Sequence, residues 1–167
     1  MRILLHALRG EDVISVTRSC EISSTLAAAP FAVHGRRMNA AAIMRSLELV
    51  GERGDPAPAV YARLFARHPA MEALFVRDTN GLVRGNMLAE AIGAILDFID
   101  RDAYGGNLMR IEVVNHENLG VPKEVFPAFF TVMRDSFAET LGEAWTTEID
   151  QAWGDLLARI EREVMQS

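Results

Sequence analysis

The sequence holds a single cysteine, Cys20. One thiol forms no internal disulfide and supplies no thiolate cluster for zinc or iron–sulfur chemistry, so a reducing, cytoplasmic compartment is expected. Long apolar runs are lacking too. The longest uncharged stretch near the start, 22–35, is too short to span a bilayer, and Arg36-Arg37 follow it where an export signal wants its charge in front. No membrane partner is expected. Positive charge is also scarce: 17 basic residues against 23 acidic ones leave a net charge of −6, which argues against nucleic acid as a partner. No GxxxxGK[ST], GxGxxG, HExxH or Cys-x-x-Cys pattern is present, and Gly105-Gly106 have no upstream strand with which to cradle a phosphate. Without a Glu-x-x-His pair, a di-iron bundle lacks its ligand set.

What is present suits one soluble core, since half of the 167 residues are apolar. Charge divides the chain. Residues 1–45 hold six arginines against Glu11, Asp12 and Glu21, whereas 46–167 hold 11 basic and 20 acidic residues. The first part has neither helical nor alternating periodicity, and residues 1–38 read as a poorly ordered extension: an appendage, a targeting segment, or an upstream start with Met38 or Met44 as the working initiator. Residues 39–167 read as one domain.

From about Asn39 onward apolar residues recur at three- and four-residue steps and β-branched alternation is missing, so the fold class is all-α. Leu47 and Val50 lie on a first helix that ends around Gly51 to Gly54. Val60, Tyr61, Leu64 and Phe65 mark a second, and Pro69 opens a short turn ending at Leu74-Phe75. Asp78-Thr79-Asn80-Gly81 is a loop by composition. Leu88, Ile92, Ile95, Phe98 and Ile99 line a long helix, after which Gly105-Gly106 are expected to break the chain. A shorter helix from Leu108 to His116 brings Leu108, Ile111 and the histidine to related faces. Val121-Pro122 open the next, which Gly142 ends, and Ile149, Trp153, Leu156, Ile160 and Val164 mark a last amphipathic helix.

Four histidines are candidates for chemistry. His6 and His34 fall in the extension, and His68 precedes Pro69 on an exposed turn. His116 closes an apolar helix beside a region rich in Phe and Met, and neutral imidazole is a good axial ligand for haem iron in such surroundings. The carboxylates fall mostly on polar helix faces and read as solvated.

Several pieces, in order, resemble the globin family, particularly single-domain bacterial globins and the haem domain of flavohaemoglobins. They are the run from Asp55-Pro56 through Tyr61 to Phe65, then His68-Pro69 through Phe75, then His116 with Gly120-Val121, and last Leu141-Gly142 with Trp145-Thr146 and Ala152-Trp153. The resemblance covers about residue 40 to the end and implies a globin fold around a haem. It makes His116 the proximal iron ligand, Phe75 the phenylalanine packed on the haem face, and Tyr61 a distal hydrogen-bond donor to a bound diatomic. Aligning Leu88 with the distal leucine puts Arg84 where the family usually has Gln or His. Val121 joins the cofactor-binding set through the Gly120-Val121 piece.

Two departures bear on activity. Phe126 stands where flavohaemoglobins have a tyrosine, and no flavin or nicotinamide domain follows the last helix in this sequence. The resemblance therefore implies reversible binding of oxygen, nitric oxide or carbon monoxide, in sensing or slow nitric oxide dioxygenase chemistry with an external reductase. A homodimer is compatible with it. The rival reading is a haem-free globin-like sensory or interaction module with His116 as a structural residue. Arg84 favours the rival, since a cation in a haem pocket must swing to solvent or pair with a propionate.

Overall fold

Asn39 caps the first helix: its Oδ1 accepts from the Ala42 N–H at 3.2 Å, and its Nδ2 donates to Glu148 Oε1 at 2.7 Å, which ties the start of the domain to its end. The computed structural model describes residues 39–100 and 102–165, with backbone only for 102–108. The expected extension at 1–38, with Cys20, His6, His34 and Met38, lies outside the described residues.

Among the described residues six α-helices follow one another: α1 Ala40–Arg53, α2 Ala57–Arg67, α3 Leu82–Asp100, α4 Asp102–Asn118, α5 Val125–Leu141 and α6 Thr147–Met165. Two 3₁₀ segments, Pro69–Phe75 and Gly142–Ala144, complete the order. Among the described residues there is no strand, and the all-α class stands.

The punctuation is local. Asp55 Oδ1 accepts from the Ala57 N–H at 2.9 Å next to Pro56, which starts α2, and Thr146 Oγ1 accepts from the Ile149 N–H at 3.2 Å to start α6. Apolar faces then meet. α1 packs on α6 and α5, α2 on α5 and α3, and α4 on α3 and α6. Ile43, Val60, Ile95, Phe98, Met133, Phe137, Trp153, Leu156 and Val164 form the sealed interior. The Trp153 indole N–H, deep in that core, donates to Ser46 Oγ at 2.9 Å, and Ser46 passes its own proton to the Ile43 carbonyl at 2.6 Å. Arg67 bonds Asp135 at 2.7 Å and Arg63 bonds Glu139, lacing α2 to α5 at the surface.

The helices differ from the sequence expectation at four places. Gly105-Gly106 do not break the chain, because α4 runs through them from Asp102. Each glycine costs a helix about 1 kcal/mol relative to alanine, and the packing of Met109 and Val113, both sealed in the core, outweighs that. Ile111 faces solvent at 58% exposure while Met109 and Val113 take the buried face, so Ile111 does not share a side with the core. α5 starts at Val125, after a turn over Pro122, three residues later than Val121-Pro122 suggested. His68 is half-buried at the α2 C-terminus, not exposed, since its N–H closes the helix on the Leu64 carbonyl at 2.7 Å.

Candidate functional site

Tyr61 sits in the middle of α2, 1% exposed, with its ring against Phe65, Phe75 and Phe129 at centroid distances of 5.9, 5.2 and 5.7 Å. Its hydroxyl is buried and has no hydrogen-bond partner. Burial raises the ionisation of this phenol far above its ordinary range, with the Arg84 cation pulling it down and the Asp78 anion pushing it up. The phenol therefore keeps its proton at any physiological pH and has one hydrogen bond to give.

Phe75 ends the 3₁₀ segment half-buried, stacked on Tyr61 and on Phe65 at 5.6 Å. Phe75, Phe65 and Arg84 line a surface depression of about 530 Å³, together with Pro69, Glu72, Ala73 and Val76. Leu88 lies one turn after Arg84 on α3 and is buried. Tyr61, Phe75 and Arg84 thus lie near one another. A second depression, about 540 Å³ between α2 and α5 at Arg63 and Glu139, includes none of the candidates.

Arg84 itself has a partner that the sequence reading did not name. Its Nε donates to Asp78 Oδ2 at 2.8 Å and its Nη2 to the Asp78 carbonyl at 3.1 Å. The Val83 and Arg84 backbone N–H groups donate to the same carboxylate at 2.9 and 3.0 Å. Asp78 lies in the loop that the composition of Asp78-Thr79-Asn80-Gly81 indicates, and its side chain is buried there at 2% exposure. Burial pushes its carboxyl up, and the hydrogen bonds from Arg84 and Val83 more than reverse this, leaving it below the ordinary carboxylate value. The available signal was Asp-Thr-Asn-Gly just before a long helix, a place where Asp caps free N–H groups.

His116 occupies the last turn of α4, half-buried, with Nδ1 2.7 Å from the Glu112 carbonyl oxygen. A carbonyl only accepts, so Nδ1 carries the proton and Nε2 keeps its lone pair for a metal. The helix end is built around this residue. The His116 carbonyl accepts from the Val121 N–H at 2.9 Å and the Glu117 carbonyl from the Gly120 N–H at 3.0 Å, a Schellman closure that needs Gly120 at φ 89°. Val121, half-buried, is thereby pinned to the backbone of His116. Phe126 lies edge-on to the imidazole at 5.0 Å.

The two halves of the candidate set are connected by rings. Phe126 neighbours Phe130 at 5.8 Å between ring centres, Phe130 neighbours Phe129 at 6.0 Å, and Phe129 neighbours Tyr61, so α5 supplies an unbroken series of rings from His116 to the Tyr61 phenol. A model of the family described as Globin matches residues 58–164, from the first turn of α2 to the last turn of α6. The chain belongs to the globin family. No curated protein matches it.

Globins typically bind haem, and the residues of this globin fit that group on two observations. One imidazole has its Nδ1 proton already committed, and one buried hydroxyl has no protein acceptor. Among the described residues no three His, Cys, Asp or Glu side chains gather as a metal site, so His116 would have to serve as the lone protein ligand of an iron that a macrocycle otherwise holds. Among them, too, no helix is long and apolar enough to cross a membrane.

Proposed function

We propose that this globin holds haem and uses it to bind a diatomic gas reversibly, with His116 as the iron ligand. Haem supplies an iron able to take one gas molecule on its open side and to exchange one electron. The chain supplies the surroundings. The Glu112 carbonyl orients the His116 imidazole and, in the neutral ring, places the proton on Nδ1 and the lone pair on Nε2, and the Schellman closure at Gly120-Val121 fixes the helix end that carries it. Phe75 and Leu88 offer apolar surface that keeps water out. Tyr61 holds a proton ready for an acceptor on the distal side.

The observation that carries this reading is the Tyr61 hydroxyl, buried without a partner. A stranded hydroxyl costs about 1–3 kcal/mol, so a donor kept in this state points to an acceptor that arrives from outside the protein. Oxygen, nitric oxide and carbon monoxide are the candidates, in binding, sensing or slow nitric oxide chemistry with electrons from an external reductase. The single cysteine suits a reducing cytoplasm. Haem titration of the purified chain, followed by its absorbance spectrum, tests the proposal. A Soret band saturating at one haem per chain, shifting with carbon monoxide after reduction, is expected. No uptake of haem would establish the haem-free sensory or interaction module in its place.

A further inference from the structure

Asp78 holds Arg84 at both backbone and side chain. One carboxylate takes the Val83 N–H, the Arg84 N–H and the Arg84 Nε–H, and the carbonyl of the same residue takes Nη2, all within 2.8–3.1 Å. Capping α3 needs only the first two of these bonds, and a neutral Asn makes an adequate cap. The two side-chain bonds do something else. They fix a guanidinium, 31% exposed, at the rim of the depression walled by Phe65 and Phe75, the rings that touch Tyr61. The Arg84 cation and the Asp78 anion act on the Tyr61 hydroxyl with opposite sign, so the anion offsets part of the cation's effect there.

We propose that Asp78 is a positioning residue that pins Arg84 at the mouth of the distal region and cancels its charge, so that the site favours neutral diatomics over small anions. Free of Asp78, the same arginine would present an uncompensated positive charge and a mobile fork of donors suited to an anion. The inference rests on the haem reading above for its ligand measurement, but the positioning itself is measurable without haem.

The full chain carrying Asp78→Asn keeps one capping oxygen at position 78 and loses the charge together with the second acceptor oxygen, the one that takes the Arg84 N–H and Nε–H. Azide binding to the ferric protein should tighten about tenfold, the size expected for one charge exposed at roughly 10 Å in a partly buried site. Carbon monoxide binding to the ferrous protein, which is blind to charge, should stay within about twofold. Adding Arg84→Gln to Asp78→Asn should return azide affinity to about the wild-type value, and Arg84→Gln alone, which leaves the carboxylate by itself, should weaken azide about tenfold. An azide affinity in Asp78→Asn and Arg84→Gln within twofold of wild type overturns the proposal. If Asp78→Asn does not fold, Arg84→Gln alone decides on the same criterion. In parallel, the Arg84 Nε–H signal in a nitrogen-correlated NMR spectrum should exchange slowly in the wild type and fast in Asp78→Asn, with or without haem. Equal exchange in both proteins removes the positioning role. A chain that takes up no haem yet shows this loss of protection sinks the haem reading and leaves Asp78 as the residue that positions Arg84.

Discussion

The Nδ1 atom of His116 lies 2.7 Å from the carbonyl oxygen of Glu112, one turn earlier on α4. That bond fixes which ring nitrogen is protonated and which way the imidazole faces, and the Glu112 carboxylate, 3.8 Å away, adds negative potential beside the same proton. A metal ligand held in this way is set in place before the metal arrives. His116→Ala should lose stable haem, because no other histidine among the described residues lies on α3, α4 or α5. The check is the Soret band and haem stoichiometry of that variant, and wild-type values for both would remove His116 from the role.

Tyr61→Phe deletes only the hydroxyl, and its two consequences have opposite signs. In the haem-free protein the hydroxyl is buried without an acceptor, so its removal should leave stability unchanged or raise it by up to about 1 kcal/mol. With gas bound, the hydroxyl meets a partly charged acceptor, and its loss should speed oxygen dissociation by roughly 10- to 100-fold, the equivalent of about 1.5–3 kcal/mol. Flash photolysis or stopped-flow mixing gives the off-rate and thermal unfolding gives the stability. A destabilised variant with an unchanged off-rate would make the phenol a packing residue and pass the distal role to Arg84.

Much of this was legible in the sequence where a periodic apolar face or a turn residue acts alone. Tyr61, Phe75, Leu88 and His116 were singled out on spacing and family resemblance, and α2, α3 and α6 lie where their apolar steps put them. The misses have a common cause, since each depends on contacts distant in sequence or on a competition that local pattern does not resolve. Gly105-Gly106 read as a break because propensity was weighed without the packing that Met109 and Val113 contribute. Asp78 does lie in a loop, but nothing in Asp-Thr-Asn-Gly shows that a guanidinium six residues later will fold back over it. Phe126, Phe129 and Phe130 belong to the core, and only the fold shows that their rings also run from His116 to Tyr61.

A chain beginning at Met38 should fold as well as the full sequence does. Among the described residues the helical domain is first anchored at Asn39, through Ala42 and Glu148, and the packed core begins at Ala42. Thermal midpoint and haem content of the shortened chain are the measurements. A midpoint lower by more than a few degrees would mean that residues 1–37 dock on the domain.

Acid should weaken the domain through Asp78, and the direction follows from the sign of its shift. Its carboxyl titrates lower when folded than when unfolded, because the bonds from Arg84 and Val83 favour the charged form by more than burial opposes it. A depressed carboxylate contributes stability that is fully present above the unfolded value, near pH 4, and is lost as pH falls through the lower folded value. Asp78→Asn never carries that charge, so it should be less stable than the wild type at pH 7 and should approach it as the medium is acidified below about pH 4. Asp150 is lowered as well, by hydrogen bonds from Trp145 and Arg134, and it contributes to the acid limb of both proteins equally. Subtracting the two melting curves at each pH therefore isolates Asp78. A difference that stays constant between pH 6 and pH 3 would show that the carboxylate's charge is not what stabilises the start of α3, and that the helix N–H groups need only an oxygen at position 78.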